Sequence, residues 1–516
     1  MALAYSKHAL IFSTLLSIVA CLGVNLDNRN LCLSTTDCLS GNICCAGQCI
    51  DDESNCEAPP TDTYPEIPSG AFYVAASGGD DAGSGLSPST ALATFDGAWQ
   101  RMSPGDTLVL DGTYNRALRI TQSGEEGAMI TVMAATDGSA RLVGDALAPC
   151  EIVGTSEKNI EYVRLIGLRC DAGTGGAMTV ANAQHIELFR VTAYATQAAK
   201  NAMTITNAAN ILLEDIAAIG PSTVLFDLRG CDDCTVRRGF ARWEQGTEPN
   251  YGFLLVNSSR SRIENSVAVD VGGNSFGFGI ATNNSSLTGD NILQGNVAYG
   301  QNKSGAAYLF GSDQPNSNNR MHDCVGIDNR RGIFQVGDDS LLVERSTFAM
   351  ARAPDNVSSA LSVFVADCTR FDDNGIKLNT EITDSILLDT DIGLAVQNSP
   401  CINRIALSHS AIYDVSLDTS GPAILEESTL VRDVSPGFDT DRYGVGAYLI
   451  HSSTLIDQGT NGGFLGAEIL YRLQDGASTQ VPLWPWPMED RILRESGVSV
   501  TYTAFGGIWK TLDDVY

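Results

Sequence analysis

From about residue 160 to residue 413 the chain repeats itself roughly every 25 residues. Each repeat joins a short apolar strand ending near Asn or Gly to a second strand of pattern apolar-x-x-x-apolar. The second strand is readable at Leu165, Leu188, Leu213, Val236, Ile263, Leu293, Met321, Val343, Ile382 and Leu407, and the variation in spacing falls in loops. A strand too short to bury its own apolar face needs a like neighbour above and below it, so several repeats must fold together. Helical repeats of this length need runs of ten or more residues at 3.6 periodicity. These runs are shorter and rich in Val, Ile and Thr, which favours strands.

Two apolar columns run through the first strands: Met178, Met203, Phe226, Phe253, Tyr308, Ile333 and Leu394, then Val180, Ile205, Leu228, Leu255, Phe310 and Val396. Each such side chain, fully buried, contributes roughly 1.5–3 kcal/mol, so about ten coils supply an ample core. Asn182, Asn207, Asn257, Asn283 and Asn398 recur just after the first strand, where Asn tolerates left-handed backbone angles and its amide can bond to the next Asn. A second column, Arg190, Asp215, Arg238, Asn265, Gly295, Asp323, Arg345 and Asp384, reads as a solvated ladder of ion pairs.

The asparagine column resembles that of right-handed parallel β-helix proteins, the pectate-lyase-like group. This implies an all-β solenoid of about ten coils with caps at both ends. Residues 71–114 strengthen the likeness through Phe72-Tyr73-Val74, a Gly/Asp-rich loop, a short helix over Ala93–Met102, Pro104-Gly105-Asp106 and Gly112-Thr113-Tyr114. That succession is similar to the amino-terminal cap of chondroitinase-B-like exported proteins. An open stack end would otherwise expose unpaired edges and core side chains.

Residues 1–21 carry Lys7 and His8, an apolar run from Ala9 to Ala20, and Cys21, the pattern of an export signal. Ile18-Val19-Ala20-Cys21 resembles a bacterial lipobox, which implies acylation of Cys21 and membrane attachment through the lipid; ordinary signal cleavage nearby is the alternative. Cys32, Cys38, Cys44, Cys45, Cys49 and Cys56 then crowd a module spanning 30–57, and such density in an exported chain implies three disulfides. Their spacing is similar to cystine-knot miniproteins. A proline-rich linker (58–70) leads to the capped β-helix (71–439), and 440–516 form a carboxy-terminal cap region. There Trp484 and Trp486, set between prolines, either stack on sugars or close a rigid lid over the last coil. Cys231 and Cys234 are expected to pair or to face each other across a turn.

A net charge of −29 over 516 residues makes unaided polyanions poor partners and excludes a nucleic-acid reader. A monomer is expected, either extracellular or an outer-membrane lipoprotein, with polysaccharide or a cell-surface glycan as partner. Charged outward positions are few, so the candidate catalytic residues are Asp227 and Arg229. The insertion after them is expected to bring Trp243, Glu244 and Tyr251 over the same face, and Lys303, Arg330 and Arg331 form a second candidate saccharide-binding cluster. A solvated rim is the plainer reading of both. The outward column itself reads Thr179, Thr204, Asp227, Leu254, Ile280, Leu309 and Phe334. His185, His322 and His409 are read as exposed or ladder positions, and Asp338-Asp339 and Asp372-Asp373 as turn residues. No metal site is expected, although calcium would serve if the chain were a lyase. Two functions stand: a surface protein that interacts with polysaccharide without a catalytic site, and a lyase or hydrolase of an acidic extracellular polysaccharide.

Overall fold

The computed structural model describes residues 43–45, 48–50 and 63–504, the last stretch apart from 145–147, 198–199, 245–249, 271–274, 283–288, 302, 304, 313–317, 338–340, 352–360, 367–378, 397–403, 422 and 450–453. In the amino-terminal unit, Ile43–Cys45 and Gln48–Ile50 form an antiparallel hairpin in which Cys44 lies opposite Cys49. Cys21, the side chains of the six clustered cysteines, Asn283, Asn398, Asp338-Asp339 and Asp372-Asp373 lie outside what is described.

The main body is a parallel β-helix of about ten coils. Each coil contributes to three parallel sheets rather than the two expected. The first sheet runs through Cys150–Val153, the start of Met178–Phe189, Val224–Asp232, Tyr251–Val256, Phe276–Thr282, Ala306–Ser312, Arg331–Gly337 and Leu361–Ala366. The second includes Ile130–Ala134, Ile160–Ile166, Arg262–Glu264, Ile292–Gln294, Asn319–His322 and Leu341–Glu344. The third includes Ala140–Val143, Leu168–Asp171, Val267–Asp270, Val297–Tyr299, Val325–Ile327 and Thr347–Ala349. The apolar-x-x-x-apolar unit is therefore two strands divided by a corner. Its middle residue has positive φ in coil after coil: Arg190, Asp215, Arg238, Asn265, Gly295, Asp323, Arg345, Asp384 and His409.

That corner explains the charged column differently from a solvated ladder. Asn, Asp and Gly suit a left-handed backbone, and the arginines there are held by ion pairs. Arg238 Nε donates to Asp215 Oδ1 at 2.5 Å, with both side chains nearly buried, and Arg345 is bonded to Asp323 at 2.8 Å. Just past the corner, inside the coil, stands the polar ladder. Ser266 Oγ accepts from Gly239 N, Asn296 Oδ1 from Ser266 N, Ser346 Oγ from Cys324 N, and Ser385 Oγ from Ser346 N. Of the expected asparagine column, Asn182, Asn207 and Asn257 do have positive φ. Asn182, however, donates to the Gly154 carbonyl, and a bonded amide pair is found at Asn291–Asn319 instead.

The interior follows the expected columns. Phe226, Phe253, Phe278 and Tyr308 stack in sequence with ring centroids 4.6, 4.9 and 5.3 Å apart, all fully buried. At the amino-terminal end, Phe95–Trp99 forms a short helix capped by Thr94, whose hydroxyl accepts from Gly97 N, and Phe95, Ala98 and Trp99 enter the core. Cys150 and Cys170, from the first and third sheets, are joined by a disulfide.

Sheet three is apolar on both faces, and the tail covers its outer one. Ile219, Phe240, Val269, Ile327 and Leu388 pack in one cluster with Leu449, Leu465, Trp484, Trp486 and Ile492. Thr460 N bonds to Asp384, Ala467 N to Thr347, Gly476 N to Glu264 and Arg491 to Asp137, so the tail retreats toward the first coils as it proceeds. It is a strap along the solenoid, not a lid over the last coil. Trp484 and Trp486 are buried in it, and Trp484 Nε1 donates to the Ile469 carbonyl, which leaves neither indole for a sugar.

Candidate functional site

With the third sheet covered, the outer faces of the first and second sheets remain. On the first, the outward column reads Thr179, Thr204, Asp227, Leu254, Gly279, Leu309, Phe334 and Phe364. Ile280 belongs one step over, buried between Leu255 and Phe310. A Cβ on Gly279 would lie 2.7 Å from the Tyr251 ring, so glycine there lets the ring lie across the strand.

Asp227 and Arg229 are two residues apart on one strand and hence on the same face. Arg229 Nε donates to Asp227 Oδ2 at 2.8 Å, and Asn201 Nδ2 donates to the same oxygen at 2.6 Å. The carboxylate is buried while 48% of the Arg229 side chain is exposed, so the acid fixes the guanidinium and leaves its outer nitrogens toward solvent. Burial pushes the Asp227 carboxyl above its ordinary range, against the opposing pull of Arg229, and Oδ1 has no hydrogen-bond partner. Tyr251 stands close enough to feel the Arg229 charge, although burial dominates and raises its phenol.

The other predicted residues divide. Trp243 is not over this face: it is 1% exposed within the core, its ring 3.3 Å from where a Gly252 Cβ would be, because the third-sheet strand turns it inward. Glu244 is exposed at the end of that strand. Arg331 lies over the rings of Phe334 and Phe364, 4.9 and 5.3 Å from their centroids, and burial with neighbouring Arg330 lowers its pKa to about 10. Arg330 is half-buried and Lys303 exposed at the entry to the same sheet. Tyr251, Phe276, Phe334 and Phe364 form a half-buried aromatic row on this face, with successive centroids 5.2, 6.1 and 5.5 Å apart. The repeat alignment contains Phe334 in its outward column; Phe276 and Phe364 lie outside it, and only the structure shows them stacked on Phe334.

Hydrolysis by paired carboxylates needs a second acid within about 5–9.5 Å. The outward positions flanking Asp227 are Thr204 and Leu254, followed by Thr179 and Gly279. Among the described residues no three His, Cys, Asp or Glu side chains gather as a metal site.

On the second sheet, a groove of about 540 Å3 is lined by Thr131, Tyr162, Arg164, His185, Glu187 and Asn210, among others. His185, expected as an exposed or ladder position, is stacked on Tyr162 in it. His322 Nδ1 instead lies 3.3 Å from Asp323 Oδ2, and His409 takes the corner position.

No protein-family model matches the chain, and no curated relative does. Among solved structures it is similar to pectate lyase Pel9A (16% identity over 72% of this chain and 84% of that one, TM-score 0.41). It is also similar to the polygalacturonase from Erwinia carotovora ssp. carotovora (9%, 72% and 100%, TM-score 0.36). A third is the catalytic unit of a thermostable alpha-1,3-glucanase from Streptomyces thermodiastaticus (10%, 72% and 71%, TM-score 0.42).

Proposed function

We propose that this is an exported protein, held at the cell surface by a lipid on Cys21, that grips an acidic extracellular polysaccharide along the outer face of its first sheet without cleaving it. The observation that carries this reading is the Arg229 guanidinium, fixed through Nε by buried Asp227 and open at its outer edge. A planar guanidinium held in this way matches a sugar carboxylate bidentately, and its bound order costs little because it is already oriented. Arg331 lies four coils further along the same sheet, roughly 19 Å at about 4.8 Å per coil, and at the opposite end of its strand, about 16 Å before the register of Arg229, so the two cations mark a diagonal span for an extended chain. These local cations offset the repulsion expected from the net charge of −29. Asp227 serves here as a positioning residue for Arg229.

Titration with oligogalacturonate and hyaluronan oligosaccharides, followed by calorimetry and by the absorbance of unsaturated uronides, tests this. Binding without new absorbance, weakened tenfold or more in Arg229→Met, is expected. Unsaturated product that disappears in Arg229→Ala would replace this reading with a lyase. Incorporation of labelled palmitate that persists in Cys21→Ala would remove the lipid anchor.

A further inference from the structure

The second-sheet groove is a separate structure from the Arg229 face. Its floor follows the register Thr131, Arg164, Glu187 and Leu212, one residue per coil, and Arg164 Nε donates to Glu187 Oε2 at 2.6 Å. Both side chains remain substantially exposed, 41% and 36%, so the pair presents donors and acceptors side by side. Along one wall run Tyr162, His185 and Asn210, and Gly105, Gly127 and Met129 also line the groove.

That wall is built at a backbone position unsuited to large side chains. Tyr162, His185 and Asn210 have φ of 53, 55 and 53°, and the same column continues as Asp233, Asp290 and Asn318 in later coils. Asn and Asp are the residues that left-handed angles favour, and a bulky ring there costs on the order of 1 kcal/mol or more. The rings occur where the groove is. Tyr162 and His185 lie parallel, 4.6 Å between centroids and 4° apart in plane, forming an apolar patch with polar edges. Arg260 is the bulky exception further along, and it is ion-paired to Asp232 and Asp233.

We propose that this groove binds a neutral oligosaccharide, independently of the acidic-chain site on the first sheet. Sugar hydroxyls both donate and accept, and the Arg164–Glu187 pair, Thr131 and Asn210 offer both kinds of partner around an aromatic patch. Unlike Asp227, which is buried beneath Arg229, the Glu187 carboxylate is itself exposed in the groove beside Arg164 and meets an incoming carboxylate with like charge, whereas a hydroxyl can bond to both partners. A uronate is correspondingly disfavoured.

Calorimetric titration of the full chain with neutral gluco-, manno-, xylo- and galacto-oligosaccharides, and separately with oligogalacturonate, tests the assignment. Tyr162→Asn is the informative variant, because Asn fits the left-handed backbone and fold stability should hold or rise. It is expected to weaken neutral-oligosaccharide binding at least tenfold and to leave oligogalacturonate binding unchanged, with Arg229→Met showing the reverse. Glu187→Gln, which keeps the shape and unbalances Arg164, should weaken neutral binding and admit the uronate. Absence of binding by every neutral oligosaccharide at millimolar concentration would overturn the proposal. So would neutral binding that survives Tyr162→Asn, or that falls with Arg229→Met.

Discussion

Arg491 Nη1 lies 2.7 Å from Asp137 Oδ1, joining residues 354 positions apart in the chain. The same guanidinium donates to the carbonyls of Arg190 and Leu168, to Thr192 Oγ1 and to Glu495, and the side chain is 1% exposed. Through it the end of the tail is fastened to the early coils.

Arg491→Met should therefore destabilise the protein by about 3 kcal/mol, because the nearly buried Glu495 loses its ion-pair partner and the Leu168 and Arg190 carbonyls lose a donor, while Asp137 keeps Arg190. Urea denaturation measures the loss. A change below about 1 kcal/mol would mean that the strap contributes little at this end.

Phe253 sits in mid-stack between Phe226 and Phe278, fully buried. Phe253→Ala should cost about 3–5 kcal/mol, whereas Phe253→Leu, which refills most of the space, should cost appreciably less. Because each coil contacts chiefly its neighbours, hydrogen exchange should quicken around this coil before it does elsewhere.

The Asp227 carboxyl titrates above its ordinary value of 3.8 because burial disfavours its charge. The folded state thus holds that proton more tightly than the unfolded chain. Its contribution to stability falls as pH rises from the ordinary carboxylate pKa to the raised one, and is flat above. Asp227→Asn should abolish this slope. Oligogalacturonate affinity should also decline on acidification with a midpoint above the ordinary carboxylate range, as Arg229 loses its charged orienting partner. An unchanged midpoint in Asp227→Asn would refute that link.

Thiol chemistry provides another check. Cys150 and Cys170 are joined across a separation of 20 residues, and losing the bond through Cys170→Ser should cost about 3 kcal/mol. Cys231, Cys234 and Cys324 are buried free thiols, and burial pushes Cys324 up to about 12. For Cys231 the neighbouring Cys234 thiol acts first, and burial adds to it. Iodoacetamide at pH 8 should label none of these three in the native protein and all three after unfolding without reductant, as read by mass spectrometry. Label on Cys150 or Cys170 in that sample would contradict the disulfide.

Much of the solenoid was legible in the repeat, because stacking imposes the same burial on the same position in every coil. Met178 through Leu394 form one inward column as their alignment predicts. The third sheet was hidden because corner residues such as Asn265 and Asp323 take only one position each, and a pattern of apolar residues four apart reads equally as one strand or two. Strands such as VAVD (267–270) and VGI (325–327), with apolar residues in succession, were the available sign that something covers that sheet. Trp243 misled for a related reason: its inward direction follows from which side of the corner it stands on.

Local chemistry, repeated, determined the coil: apolar residues at alternate positions demand burial, and Asn, Asp and Gly mark the places where the chain turns. The tertiary structure alone decided what meets across coils and across hundreds of residues. It put the tail on the third sheet, Trp484 and Trp486 in its packing, Tyr162 against His185, and Arg229 in the hold of Asp227. Those relations depend on register and on the closure of distant segments, and a one-residue shift in either would exchange inside for outside.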